Sequence, residues 1–142
     1  MKKVTPFLWF DNNAKEAMEF YVSIFKNSKI ISDSHFEIEG QDFLVLNGGP
    51  HFTFNEAISM FIDCKDQEEV DYYWNALLTN GGTPGRCGWL KDKFGLSWQV
   101  VPSILGTLLN DPDKTKANRV MQAMLSMVKL DIETLKRAYD QE

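Results

Sequence analysis

Phe7 to Tyr21 reads FLWFDNNAKEAMEFY, and Ser59 to Tyr73 reads SMFIDCKDQEEVDYY, fifty-two positions further on with no insertion or deletion between them. Asp11, Glu16 and Tyr21 fall on Asp63, Glu68 and Tyr73, while Met18, Phe20 and Phe25 fall on Val70, Tyr72 and Leu77. Polarity repeats along with identity, so the chain carries two related modules. Two copies are too few for a solenoid and suit a pseudo-two-fold pair with a groove between the halves.

Outward from this repeat, each module reads as a strand, a helix and further strands. Val4 to Phe10 is aromatic and branched, with Pro6 near its start, as an edge-entering strand requires. Ala14, Met18, Tyr21 and Phe25, with Ala17, Phe20 and Ile24 beside them, have helical spacing, and Glu16 stands at a capping-box position. Lys29 to Ile31 resumes a strand, and Phe36 to Glu39 and Asp42 to Leu46 form a pair turned at Gly40. The second module opens with a strand over Ala57 to Cys64. Asp66 then caps a helix with Glu69 three residues on, and Val70, Tyr73, Trp74, Leu77 and Leu78 form its apolar stripe. Thr83 to Gly88 holds a short irregular strand, and Trp89 to Lys93 pairs with Leu96 to Val101 around Phe94 and Gly95. The fold class is α+β, with two tandem βαβββ-type modules. Residues 1–55 form module one, 56–102 module two and 103–142 a helical tail, all within a single domain. In the tail, Ile104 to Leu109 is a short helix, and Ala117, Val120, Met121, Met124 and Val128 mark a longer one. Asp131 caps a third helix carrying Ile132, Leu135 and Tyr139.

The 142 residues suffice for one well-filled core or two small modules, and fifteen basic against twenty acidic residues give a net charge of -5. That balance excludes a nucleic-acid footprint, which needs clustered positive charge. Lys91, Asp92 and Lys93, like Lys114, Lys116 and Arg119, read as solvated surface charge. Two cysteines make no disulfide framework, no leader-like segment precedes Thr5, and no apolar run approaches membrane-spanning length. The expectation is a cytoplasmic protein that is neither exported nor membrane-bound.

The words TPFLWFDNNAKEAMEFY, LNGGPHFTFNEAISMFIDC, CGWLKDKFGLSWQVVP and RVMQAMLSMVKLDIETL occur in this order along nearly the whole chain. Together with the tandem modules they resemble the vicinal oxygen chelate superfamily of glyoxalase I, ring-cleaving dioxygenases and bleomycin-resistance proteins. Within it they resemble the PhnB-like branch, often labelled a 3-demethylubiquinone 3-methyltransferase domain. That branch has a longer stretch between the first helix and NGGP, so the resemblance implies a first module shortened by one strand. Superfamily enzymes hold a divalent ion with His, Gln or Glu on strands facing the groove. The matched positions here are Val4 or Thr5, Ala57 or Ile58, and Gln99, of which Gln99 alone can coordinate. One neutral amide is a poor anchor for a transition metal, so neither metal nor other cofactor is expected. His35 and His51 lie elsewhere and read as surface or turn residues.

Methyl transfer from S-adenosylmethionine commonly uses a glycine-rich loop after the first strand of an open α/β sheet. Gly48 and Gly49 precede a proline and Gly81, Gly82, Gly85 and Gly88 follow a helix, so both clusters read as turns. Trp9, Trp89 and Trp98, with Phe7, Phe43 and Phe61, offer either core or an aromatic groove. Alternation puts Trp98 and Gln99 on opposite faces, and the superfamily resemblance turns Gln99 inward. The leading expectation is a small-molecule-binding protein without catalysis, its ligand met by Gln99, Trp9, Asn47 and Trp89. The rival is a lyase, isomerase or dioxygenase-type enzyme, metal-dependent or with Asp63, Asp92 and Cys87 as actors. A thiol beside Arg86 favours the thiolate, yet no base stands near Cys87 in sequence. Asp11 and Asp63, as repeated acids, read as folding signals that bond backbone donors at the turn or helix start. Met121, Met124 and Met127 read as core at helical spacing, or as an adaptable partner surface. Exposed sheet edges point to a homodimer.

Overall fold

Ala14, Ala17, Met18, Tyr21 and Ile24 recur at helical spacing, and they form the buried face of α1 (Ala14–Ile24) in the computed structural model, which describes residues 1–141. The chain divides into two compact units, Met1–Phe54 and Asn55 onward. In the first unit β1 (Phe7–Phe10), β2 (Ser28–Ser32), β3 (His35–Ile38) and β4 (Gln41–Asn47) make one sheet in the order β1-β4-β3-β2. β1 runs parallel to β4 and the other pairs are antiparallel, so α1 lies in the crossover that returns the chain beside its first strand. Leu8, Phe10, Phe36, Ile38, Phe43 and Val45 are buried, while Phe7, Trp9, His35 and Leu44 alternate with them on the opposite face. Glu39 and Gly40 both have positive φ, 48° and 81°, as a two-residue hairpin between β3 and β4 requires.

The first module is not short of a strand. Its sheet has four strands, as does that of the second module. The residues themselves mark all four strands, β2 among them as Lys29 to Ile31, and the shortening comes from the resemblance alone; β2 is exposed over most of its length and changes register between Ile30 and Ser32, so it is the least regular of the four.

The second unit repeats the order with β5 (Met60–Cys64), α2 (Gln67–Leu78), β6 (Thr83–Pro84), β7 (Trp89–Lys91) and β8 (Ser97–Pro102), in a sheet ordered β5-β8-β7-β6. β5 begins at Met60, with Glu56 and Ala57 in a turn before it, so Ala57 and Ile58 lie outside the strand. Val70, Trp74 and Leu77 are the buried stripe of α2. Asp66 caps this helix by accepting from the Glu69 amide at 2.9 Å, and the Glu69 side chain reaches back to the Lys65 amide at 3.1 Å. In α1 the Asn13 side chain makes no cap, and the Ala14 amide donates instead to Asn47 Oδ1, 2.9 Å away at the end of β4. The acid at the end of β5, Asp63, accepts from the Ser103 hydroxyl at 2.7 Å rather than from the start of its own helix.

The tail forms α3 (Ser103–Leu109), α4 (Lys114–Leu125) and α5 (Ile132–Asp140). The middle helix stops at Leu125, short of Val128, where Met127 and Val128 turn to the sheet: their carbonyls accept from the amides of Cys87 and Gly88 at 2.9 and 2.8 Å. Val101 of β8 joins Leu105, Leu108, Val120, Leu130 and Leu135 of the tail in one core, with Met124 and Met127 packed against it. Each such side chain contributes about 1.5–3 kcal/mol through burial. Gln67 ties α2 to this tail, donating to the Leu130 carbonyl at 3.1 Å and accepting from the Ile132 amide at 2.8 Å. Among the described residues no helix is long and apolar enough to cross a membrane.

Candidate functional site

Strand alternation in the second sheet separates two sets of side chains. Ile62, Leu90, Trp98 and Val100 are buried on the side that α2 covers. Phe61, Trp89, Lys91, Ser97 and Gln99 point the other way. Gln99 pairs in register with Phe61 on one neighbour and Trp89 on the other, so an amide stands between two aromatic side chains across three strands. Phe61 is 60% exposed, and Trp89 and Gln99 are half-buried. Gln99 Nε2 donates to Ser59 Oγ at 3.0 Å, which fixes the amide and leaves its carbonyl oxygen and second N–H.

Beside Trp89 this face opens into a pocket of about 290 Å³, with Glu56, Thr83, Arg86, Lys91 and Ser97 also in its wall. Lys91 forms an ion pair with Glu56, whose carboxyl is held below its ordinary value chiefly by that contact. Ser97 pairs in register with Lys91 and is 1% exposed.

Asp92 is not solvated surface charge. It is 3% exposed, and its Oδ1 accepts from the amides of Phe94 and Leu96 at 2.8 and 3.1 Å while Oδ2 accepts from Trp98 Nε1 at 2.9 Å. The carboxylate is the hub of the β7–β8 turn. Cys87 is half-buried in a left-handed backbone conformation, φ 58°, with its amide bonded to Met127. Cys64 is fully buried, and burial pushes its thiol up to about 12, which keeps it protonated and inert. The three candidate actors Asp63, Asp92 and Cys87 thus have separate engagements, with Ser103, with the turn and with the tail.

In the first unit, Trp9 donates from Nε1 to the Gly49 carbonyl at 2.9 Å and meets Phe52 edge-on. Its ring fills the space over Gly48, where an added Cβ would lie 2.3 Å from a ring carbon, so this glycine permits the close approach. Trp9 and Asn47 therefore lie together near the end of β4, Trp89 and Gln99 together in the second sheet. A pair that the sequence reading missed is His35 and Asp42, whose Nε2 and Oδ1 lie 2.8 Å apart on neighbouring strands. The hydrogen bond with His35 is the main cause holding the Asp42 carboxyl below its ordinary value of 3.8. A depressed carboxyl pKa contributes stability above its unfolded value that is lost as pH falls through the folded one. Asp42 is expected to titrate below 3.8 by carboxyl-detected NMR and to move back up in His35→Gln; an unchanged titration in that variant would remove His35 as the cause.

The sequence profile of the family described as 3-demethylubiquinone-9 3-methyltransferase matches residues 2–35 and 31–101, most of the chain up to the end of β8. The chain belongs to this family. A putative 3-demethylubiquinone-9 3-methyltransferase, PhnB protein, of Bacillus cereus is 31% identical, with a TM-score of 0.66 over 71% of this chain and 99% of that one. A Pseudomonas aeruginosa protein of known structure shares the fold at 17% identity, with a TM-score of 0.58 over 72% of this chain and 98% of that one. A glyoxalase/bleomycin resistance protein of Albidiferax ferrireducens matches at 19% identity and a TM-score of 0.46, over 66% and 94% of the two chains. No curated protein matches. The PhnB-like resemblance read from the sequence therefore holds, and with it the α+β fold of two similar modules.

The family's description invites a methyl donor, but the connections here do not suit one held by a glycine-rich loop. Asp11 to Asn13 joins β1 to α1 and Lys65 and Asp66 join β5 to α2, with no glycine in either. Nor do the superfamily's metal positions fit. Val4 and Thr5 precede β1, Ala57 and Ile58 precede β5, and among the described residues no three His, Cys, Asp or Glu side chains converge as a ligand set.

Proposed function

We propose that this chain is a small-molecule-binding protein whose ligand lies on the face of the second sheet opposite α2. The observation that carries the reading is the row Phe61, Gln99 and Trp89, with a pocket opening beside Trp89. Aromatic surfaces take a planar or apolar body, and a fixed amide between them orients one polar group through its carbonyl oxygen or second N–H. Binding is favoured over the rival enzyme because Asp92 spends its carboxylate on the β7–β8 turn and Asp63 accepts from Ser103. What remains on the proposed face is a set of groups suited to holding a molecule.

A thermal-shift screen of aromatic metabolites tests this, since a ligand at a hundred times its Kd adds about 2.7 kcal/mol to the folded state. Hits are expected to raise Tm in the wild type, and Trp89→Ala is expected to weaken them about tenfold, the loss of one aromatic contact worth roughly 1–1.5 kcal/mol. Hits that bind Trp89→Ala and Gln99→Ala as tightly as the wild type would move the site elsewhere.

A further inference from the structure

We propose that the pocket beside Trp89 is a receptor for a carboxylate group, so that the ligand is a small aromatic or planar acid. The inference rests on the reading that a ligand binds this face, and deepens it by naming the ligand's charged end. Its first support is Ser97. The Ser97 hydroxyl is buried in the pocket wall and is the one buried side-chain oxygen or nitrogen among the described residues that has no hydrogen-bond partner in the protein. An unmade hydrogen bond at such a site costs about 1–3 kcal/mol, which a ligand acceptor recovers.

The second support is charge. Arg86 is exposed at the same pocket, and its guanidinium has no ion-pair or hydrogen-bond partner among the described residues. Lys91 is there too, half committed to Glu56 in a pair exposed enough to be loose, with side chains 41% and 61% accessible. Two cations and one carboxylate leave a local charge of one positive unit, which matches a monoanion. A dianion would leave a second negative charge uncompensated. Arg is the side chain whose planar fork grips a carboxylate through two parallel hydrogen bonds, and the Ser97 hydroxyl adds a third donor. The chain's net charge of -5 does not override this, because charges more than about 8 Å away are screened at physiological salt. The third support is size. A pocket of about 290 Å³ with an indole in its wall takes a single-ring acid rather than a nucleotide or a long acyl chain.

Benzoate and its neutral isostere benzamide, titrated separately into the full ¹⁵N-labelled chain, separate the elements of this proposal. Benzoate is expected to shift the Gly85 and Arg86 amides and the Trp89 indole N–H saturably, while benzamide binds there about tenfold more weakly, the loss of one charge-assisted contact. Added salt should weaken benzoate alone. Ser97→Ala, which removes an unsatisfied hydroxyl and so should fold normally, is expected to weaken benzoate about tenfold, and the exposed Arg86→Gln about threefold. Equal binding of benzamide at these resonances would overturn the carboxylate and leave the binding face standing. Benzoate affinity unchanged by Ser97→Ala would mean the hydroxyl serves only a water and would overturn the receptor as described. Shifts by neither compound would overturn the pocket, and if the aromatic hits above also ignored Trp89→Ala, the binding face with it.

Discussion

Asp92→Ala is expected to lower the free energy of unfolding by roughly 3 kcal/mol, a large effect for an acid that sits between two lysines in sequence. One carboxylate accepts from two backbone amides and an indole, at 2.8, 3.1 and 2.9 Å. Truncation leaves the Leu96 amide and Trp98 Nε1 in a buried setting without their acceptor, and each orphaned donor costs about 1–3 kcal/mol. The backbone bonds of the same residue, with Leu96 and Gly95 at 2.9 Å each, survive the substitution, so the hairpin loosens rather than disappears. Asp92→Asn is expected to lose less, because its carbonyl oxygen still accepts from the turn while its NH₂ meets the indole N–H as a second donor. Urea unfolding followed by tryptophan fluorescence measures both. A change below about 0.5 kcal/mol for Asp92→Ala, the range of an ordinary surface substitution, would contradict the hub assignment. The turn matters for binding because it sets the register that puts Trp89 opposite Gln99 and Lys91 opposite Ser97.

Why Asp92 escapes a reading of the sequence is a matter of distance along the chain. Its neighbours in sequence are Lys91 and Lys93, which signal a solvated face, whereas its partners are Phe94, Leu96 and Trp98, joined to it only once Gly95 turns at φ 87°. His35 and Asp42 are hidden in the same way, since their approach depends on the hairpin at Glu39 and Gly40. The repeat, by contrast, is legible because it is written in the helix stripes and opening strands, where period and burial coincide: Met18 and Val70 are both buried, as are Phe25 and Leu77. Strand alternation likewise separates Trp98, 3% exposed, from the half-buried Gln99. The candidate pocket was only half legible. Trp89 announces itself as an aromatic on a strand, but Ser97 and Arg86 carry no signal of their own, being an ordinary hydroxyl and an ordinary loop cation until β6, β7 and β8 bring them to one wall.

Gly88→Ala is expected to destabilise the chain by about 2–4 kcal/mol and to release the tail before the sheet unfolds. Gly88 has φ 84°, a left-handed conformation that costs a residue with a Cβ about 1–2 kcal/mol. The added carbon would also lie 2.9 Å from the Val100 carbonyl oxygen and 2.9 Å from Leu130 Cδ1. The leucine can yield by a rotamer change, but the carbonyl is fixed, because it belongs to the central strand β8, whose own Val100 amide donates to the Gly88 carbonyl at 2.8 Å. Relief must therefore come from moving the segment of Cys87 and Gly88, and that segment carries the two amides that hold Met127 and Val128. The strain thus falls on the seam between sheet and tail, where Leu130 is fully buried and Gln67 bridges Leu130 and Ile132. Hydrogen exchange distinguishes this seam from a general loss of stability: the Cys87 and Gly88 amides should exchange faster in Gly88→Ala, while those of β5 and β8 keep more of their protection. Uniform loss across the second unit would mean that tail and sheet open as one body and would refute the seam. Because Arg86 and Trp89 flank this glycine, the same variant is expected to weaken any ligand held beside Trp89 even though neither side chain is altered.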